Sequence, residues 1–180
     1  SDLMNSDINA LYASQPDLMM GDRDYYLDPE NESIRTAYKE YLGKLFRLTG
    51  VPEADIEKAV AGVISIETKL AEKNWSSVEL RNIPAMYNPT AKADFEKAYD
   101  AIDWAEYYKT MGIGGFEQII VTTPSALANA NEVIKTAPLE DIRYYLAAQY
   151  ISHAASFLSD DFINASFDFY GRVMSGKQEQ

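Results

Sequence analysis

Apolar side chains recur every three or four positions over residues 29–50, a spacing that predicts an amphipathic helix. Asn31 or Ser33 can cap its first turn, and Gly50 supplies the left-handed residue with which many helices end. The apolar positions of this helix are Ile34, Ala37, Tyr38, Tyr41, Leu42, Leu45, Phe46 and Leu48.

The same periodicity predicts a second helix over residues 52–73. Pro52 suits the first helical position, and Glu53 and Asp55 place negative charge in the first turn, where the helix dipole favours it. Because the joint between the two helices is very short, we expect them to pack antiparallel.

The middle of the chain is less regular. Residues 74–89 contain two Pro, three Asn and two Ser among apolar residues, and we interpret them as a packed loop. A short helix is then predicted over 90–99, with Phe95 and Ala98 inward, and another is capped by Asp103 and ends at Gly112.

A run of β-branched residues predicts one strand over 118–122. Pro124 and Pro138 then open two further helices, and the second pattern breaks at residues 160–161 before it resumes to Gly176. The apolar stripe predicted after Pro138 consists of Ile142, Tyr145, Leu146, Tyr150, Ala154, Phe157 and Leu158. The predicted fold class is therefore mostly α. We expect an irregular bundle of about six or seven helices with at most one short strand or hairpin, in a single domain over residues 1–180.

Composition narrows the possible functions. With 16 Lys and Arg against 28 Asp and Glu, the net charge is −12, which disfavours binding to nucleic acid and to anionic membrane surfaces. The absence of Cys excludes thiol catalysis and Cys-built metal sites, and no apolar run is long enough to span a membrane. His153 is the only histidine, so the chain cannot contain an HExxH zinc motif.

Four groups of residues are candidates for chemistry, and in each a structural interpretation is favoured. His153 lies in mid-helix without a neighbouring ligand, and the triplet Asp22–Arg23–Asp24 fits a loop anchor better than an ionic ligand site. Glu67 and Glu72 have Lys neighbours and are predicted on a solvated helix face.

Adjacent tyrosines point about 100° apart on a helix, so one member of each pair can be buried while the other is exposed. They suit a core, a domain interface or the wall of a peptide cavity. The pairs are Tyr25–Tyr26, Tyr107–Tyr108 and Tyr144–Tyr145. The residues therefore predict no catalytic residue and no metal ligand, and they leave substrate-binding residues unknown.

Several segments, in order along the chain, match sequence motifs of one known protein family. Residues 21–27 (GDRDYYL) resemble the family's R-D-Y-Y stretch, and residues 64–71 (ISIETKLA) its E-x-x-I/L-A helix. Arg81–Asn82 through Tyr87–Asn88 resembles an R-N…Y-N segment, and residues 102–104 (IDW) a short F/I-D/S-W motif.

The resemblance continues to the end of the chain. Residues 119–124 are similar to the family's strand-to-helix step, although Ala126–Leu127 replaces the usual Tyr-Leu. Residues 144–146 and 167–176 are similar to its D-L-x-x-Y-L…F-x-x-x-L/V-x-G ending. In their order along the chain, these segments resemble the N-terminal, non-catalytic region of the neprilysin-like zinc peptidases of family M13.

The resemblance implies that this chain is part of a helical lobe that caps a substrate cavity, restricts it to short peptides and contacts a catalytic zinc lobe of the same polypeptide. Zinc and the catalytic residues would belong to that other lobe, so this segment should be inactive alone. The resemblance also favours a periplasmic, cell-envelope or extracellular location.

The start at Ser1, with no signal peptide, is interpreted as that of a segment of a longer chain. The alternative is a free-standing α-helical module that binds peptides or proteins without enzymatic activity. If the segment normally faces another lobe, we expect Tyr- or Phe-rich apolar surface to be uncovered in it.

Overall fold

The computed structural model describes residues 1–178, and the elements are numbered along the chain. The strands and helices are β1 (Leu11–Ala13), α1 (Asp24–Leu27), α2 (Glu32–Leu48), α3 (Glu53–Ala71), β2 (Asn88–Ala91), α4 (Lys92–Ala98), α5 (Trp104–Met111), β3 (Gln118–Val121), α6 (Pro124–Thr136), α7 (Leu139–Ala154) and α8 (Asp160–Ser166). Short 3₁₀ turns lie at Pro29–Asn31, Glu79–Arg81, Ile83–Met86 and Ala155–Phe157, and a π-helical segment, Phe167–Met174, follows α8. The mostly α fold class is confirmed.

The chain divides into two compact units. Unit 1 contains Ser1–Asp17 and Lys73–Thr136, and unit 2 contains Leu18–Glu72 and Ala137–Gln180, of which residues 179 and 180 lie outside the described part. The prediction of a single domain over residues 1–180 stays a prediction.

Unit 1 is built on a three-stranded sheet in the order β1-β3-β2. The central strand β3 is parallel to β1, with Leu11 opposite Ile119, and antiparallel to β2, with Asn88 opposite Val121. Pro89 is tolerated because β2 is an edge strand. The predicted strand is confirmed as β3, but it is joined by two further strands, β1 and β2, that the pattern did not predict. At three and four residues, β1 and β2 are too short to show a period.

The core of unit 1 lies between this sheet and its helices. Phe95 of α4 and Tyr108 of α5 pack with Ile119 and Val121 of β3. Helix α5 starts and ends as predicted: the Asp103 side chain accepts a hydrogen bond from the backbone N–H of Glu106, and the residue after the helix, Gly112, has φ +65°. Ala98, predicted to point inward, is exposed.

The predicted loop over residues 74–89 is only partly packed. Its Trp75 indole donates a hydrogen bond of 2.9 Å to Ser125 Oγ. Val78 and Ile83, in contrast, are 70% and 51% exposed.

Unit 2 is a bundle of α2, α3, α7 and α8, in which α3 contacts both α2 and α7. Tyr38, Leu42 and Leu45 of α2 are completely buried, as the periodicity predicted. Gly62 of α3 allows a close approach to α7, because a Cβ there would lie 3.2 Å from the Cα of Asp141. Small residues of the α7 segment, Ala148 and Ala155, are accordingly buried.

The apolar stripe predicted after Pro138 is wrong for its largest members. Leu146, Tyr150, Phe157 and Leu158 are exposed rather than inward. Small residues of this segment let α7 come close to α3, and among its large apolar residues Tyr144 packs on Phe46 of α2 while the four named here are exposed. The interruption predicted at residues 160–161 lies earlier in the structure, because α7 ends at Ala154 and residues 160 and 161 are the first two of α8.

One tyrosine pair behaves as predicted, since Tyr108 is buried and its neighbour Tyr107 is exposed. In a second pair, Tyr26 is buried and Tyr25 is half-buried. Both members of Tyr144–Tyr145 are half-buried. Within residues 1–178, no helix has the length and apolar character needed to cross a bilayer.

Candidate functional sites

The most unusual side chain of the molecule is Glu67, in the middle of unit 2. The sequence predicted a solvated face for it, and this is wrong: Glu67 has no exposed surface. Val63 and Leu70, one turn on either side along α3, are also buried. A carboxylate at a position of the apolar face was therefore the signal that could have identified it. Glu72, predicted together with it, is exposed.

Three donors hold the Glu67 carboxylate. The hydroxyl of Tyr38 donates to Oε2 at 2.6 Å, the hydroxyl of Tyr26 donates to the same oxygen at 3.1 Å, and the backbone N–H of Met19 donates to Oε1 at 3.1 Å. Tyr26 in turn accepts from the backbone N–H of Met20 at 3.1 Å. A buried carboxylate needs such donors, since burial without them costs several kcal/mol.

Burial and the carboxylate shift the acid–base properties of this cluster together. Burial raises the pKa of Glu67, and the hydrogen bonds from Tyr38, Met19 and Tyr26 oppose that shift. Burial, together with the charge of Glu67, also raises the pKa of Tyr26 and of Tyr38. Both phenols therefore stay protonated and act as donors at neutral pH.

The effect of the cluster is to attach the segment before α1 to the bundle. Met19 and Met20 bind it through their backbone, and Gly21, with φ +89°, turns the chain towards α1. A carboxylate with a raised pKa inside a protein is a recurrent feature of functional sites, but structural networks produce it as well. Here all three donors are used to fix the fold.

The triplet Asp22–Arg23–Asp24 has a local role. Asp22 Oδ1 accepts from the backbone N–H of Asp24 at 3.1 Å, next to the start of α1. Arg35 of α2 anchors the C-terminal end of α1, because its guanidinium donates to the carbonyl oxygens of Tyr25 and Asp28 at 3.0 and 2.7 Å.

A second polar group lies where α2, α7 and the π-helical segment meet. The hydroxyls of Tyr41 and Ser152 are 2.9 Å apart, and Tyr41 stacks on the ring of Phe169 at a centroid distance of 5.3 Å. Burial raises the pKa of the neighbouring Tyr170 to about 12. These neutral hydroxyls hold the π-helical segment on the bundle.

Unit 1 contains an apolar pocket of about 330 Å³, close to the lower limit for small-molecule sites. Aromatic rings form much of its wall, and Trp104 is fixed by a 2.6 Å hydrogen bond from its indole N–H to the carbonyl of Tyr99. The hydroxyl of Tyr108 beside it is buried without a hydrogen-bond partner in residues 1–178. Members of the lining include Leu11, Phe95, Tyr99, Trp104, Tyr107 and Ile134.

His153 is on the exposed side of α7, with Nδ1 2.7 Å from the carbonyl oxygen of Gln149. Over residues 1–178 the structure contains no group of three or more His, Asp or Glu side chains that could hold a metal ion. The described residues therefore form a hydrogen-bonded cluster around Glu67, a second polar group at Tyr41 and an apolar pocket in unit 1. Several large apolar residues are exposed.

Comparison with known proteins shows the family to which this chain belongs. The model of the N-terminal region of peptidase family M13 matches residues 1–180, so this chain belongs to peptidase family M13. The resemblance given by the sequence motifs is thereby confirmed.

Its relatives are much longer proteins. The chain is 27% identical over 179 residues to a neutral endopeptidase of Lactobacillus helveticus, covering 99% of this chain and 28% of the relative. It is 25% identical over 184 residues to neprilysin-2 of Drosophila melanogaster, and 26% identical over 185 residues to human endothelin-converting enzyme 1. Each of these two matches covers 99% of this chain and 24% of the relative, so the chain spans about a quarter of its relatives' length.

The same fold occurs in a solved structure. The open state of the zinc metalloprotease Zmp1 of Mycobacterium tuberculosis matches with a TM-score of 0.88 at 24% identity, over 93% of this chain and 26% of Zmp1. The inhibitor complex of Zmp1 matches with a TM-score of 0.85.

Proposed function

We propose that this chain is the non-catalytic helical lobe of an M13-type zinc metalloendopeptidase that cleaves oligopeptides. The observation that carries the proposal is the family match over residues 1–180, combined with a relative that is named as an endopeptidase and of which this chain covers 28%. The lobe caps the substrate cavity and restricts it to short peptides. The zinc ion and the residues that activate water would lie in another part of the same polypeptide.

The composition of the chain supports the proposal that catalysis takes place in another part of the polypeptide. With a single histidine, it cannot supply the two histidines of an HExxH motif. The large apolar residues left exposed in it, such as Tyr150 and Phe157, are the kind of surface that another lobe would cover. The family also favours a location in the periplasm, the cell envelope or outside the cell.

The catalytic part of the proposal is tested by comparing the purified 180-residue chain with the purified full-length protein. We expect no hydrolysis of a fluorogenic decapeptide by the 180-residue chain, with or without added zinc, and hydrolysis by the full-length protein that is lost on chelation. Turnover by the chain alone would contradict the proposal.

Substrate size tests the capping role. One scissile sequence can be placed in a peptide of about ten residues, in one of about forty residues and in an exposed loop of a folded protein. We expect the full-length enzyme to cleave the first fastest and the folded protein not at all, because a closed cavity excludes large substrates. Equal rates for the three substrates would refute a capping lobe.

A free-standing binding module is the alternative. The apolar pocket of unit 1, with the exposed Tyr107 at its wall, is the observation that favours it. The reading frame distinguishes the two: an HExxH motif downstream in frame supports the peptidase, whereas a stop codon after Gln180 supports the module.

A further inference from the structure

The outward side of α7 carries a row of large apolar side chains. Leu139, Leu146 and Tyr150 are 63%, 59% and 78% exposed, and Phe157 in the following turn is 87% exposed. Their spacing of seven, four and seven residues places them along one line of a helix. We call these four residues the α7 stripe.

Helix α7 is apolar on its packed side as well. Ala148 is completely buried and Ala155 nearly so, and α7 has extensive contacts with α3. Apolar residues therefore lie on two opposite sides of α7, whereas a helix at the surface of a globular protein typically carries one apolar face. The α7 stripe is thus a face for which residues 1–178 provide no cover.

The charges along α7 indicate what kind of surface fits the stripe. The chain as a whole is acidic, yet no Asp or Glu occurs from Ile142 to Ser159. Arg143 is exposed on the same side as Leu139 and Leu146 and forms no ion pair within residues 1–178. An apolar stripe with one unpaired guanidinium complements an apolar helix face that carries a carboxylate.

We propose that the α7 stripe is the docking surface for an apolar helix of the same polypeptide, outside these 180 residues, whose carboxylate pairs with Arg143. This inference rests on the proposed function, because the relatives, of which the chain spans about a quarter, supply the additional length of polypeptide.

A second copy of the chain fits the stripe less well. A two-fold interface brings the same surface together twice. Paired with itself, the stripe would offer Arg143 no free carboxylate. Residues 142–159 contain none, Glu140 is ion-paired with Lys58, and Asp141 lies against Gly62 of α3. The area buried per copy would also be small, because only four large apolar side chains take part.

Cysteine labelling in the full-length protein tests the proposal, because this chain has no cysteine of its own. The test variants are Leu146→Cys and Tyr150→Cys. The matched control is Glu132→Cys, at an exposed polar position of α6. Each variant is treated with a maleimide in buffer and in urea. The rate of modification of each cysteine is then measured by mass spectrometry of the peptides.

We expect the two stripe cysteines to react at least about ten-fold more slowly than the control in buffer, and equally fast in urea, because a docked surface reacts only when it opens. The protection should not change with protein concentration. Protection that disappears on dilution would indicate a second copy and would overturn the proposal. Stripe cysteines that react as fast as the control would overturn it as well.

Peptide hydrolysis by the same unmodified full-length preparation separates the two proposals. Active enzyme with unprotected stripe cysteines overturns the docking surface and leaves the proposed function standing. A reading frame that stops at Gln180 overturns both.

Charge reversal tests whether the guanidinium of Arg143 pairs with a carboxylate. Arg143→Glu should lower the melting temperature of the full-length protein by several degrees, since a carboxylate would then face a carboxylate. Arg81→Glu is the control at another exposed arginine and should have little effect. Equal effects of the two substitutions would contradict the pairing.

Discussion

The two units of this chain bury tyrosine in opposite ways. In unit 2, the hydroxyls of Tyr26 and Tyr38 both donate to the completely buried Glu67. In unit 1, Tyr108 is buried among aromatic rings, but its hydroxyl has no partner in the described residues. Tyr26 and Tyr38 are thus specific connectors in unit 2, whereas Tyr108 in unit 1 acts as little more than a large apolar ring. Removal of a polar group should therefore be costly in one unit and harmless in the other.

The largest effect is expected from Glu67→Ala. The substitution leaves the hydroxyls of Tyr26 and Tyr38 and the N–H of Met19 buried without their acceptor. With roughly 1–3 kcal/mol for each unsatisfied buried group, and partial relaxation of the site, we expect a loss of about 4 kcal/mol in the free energy of unfolding. Urea unfolding followed by circular dichroism measures it.

Glu72→Ala is the matched control, since Glu72 follows the end of α3 and is exposed. We expect its effect to stay within about 0.5 kcal/mol. If both substitutions cost the same, the cluster around Glu67 does not stabilise unit 2.

A smaller loss is expected from Tyr38→Phe. It removes the 2.6 Å hydrogen bond to Glu67 but keeps the ring that packs against Phe169 at a centroid distance of 5.3 Å. Because the carboxylate retains two other donors, we expect about 2 kcal/mol of destabilisation. Unfolding in urea again gives the value, and an effect near zero would mean that the carboxylate is held by Tyr26 and Met19 alone.

Sequence reasoning was most successful where the structural cause is local. Asp103 and Gly112 bound α5 as predicted, because a side-chain cap and a left-handed residue act within one turn. The pattern also indicated an interruption near the end of α7, although it placed it at residues 160–161 rather than at the turn before α8. Local signals could not predict β1 or β2, whose pairing with β3 joins residues more than 25 positions apart in both cases.

Two errors share a different cause. Glu67 was assigned to solvent from its residue type, although its position on the apolar face of α3 indicated burial. On α7, apolar residues lie on more than one side of the helix, so the pattern could not indicate that Ala148 faces inward while Leu146 and Tyr150 are exposed. Helix packing at Gly62 decides this, and packing partners are not encoded in a single helix.

The pH dependence of stability provides a further test of the Glu67 cluster. Because burial raises the pKa of Glu67 above its unfolded value, the folded state binds the proton more tightly than the unfolded state. The contribution of this group is most favourable below the unfolded pKa and is lost as the pH rises through the folded pKa.

Glu67→Gln removes this titration while it keeps an acceptor for Tyr38. We therefore expect the stability of the variant relative to the original chain to increase as the pH rises from about 4 to 8. Unfolding free energies at a series of pH values measure the difference. A difference that is constant with pH would show that the pKa of Glu67 is the same in the folded and unfolded states.

The smallest effect, and one of opposite sign, is expected from Tyr108→Phe in unit 1. The hydroxyl is buried without a partner, and burial raises the pKa of Tyr108, as expected for a phenol that gains nothing from ionisation. Its removal abolishes a desolvation cost and retains the contacts of the ring with Trp104 and Phe116. We expect a gain of up to about 1 kcal/mol in the free energy of unfolding. A loss as large as that of Tyr38→Phe would show that the hydroxyl has a partner, such as a bound water, and would remove the contrast between the two units.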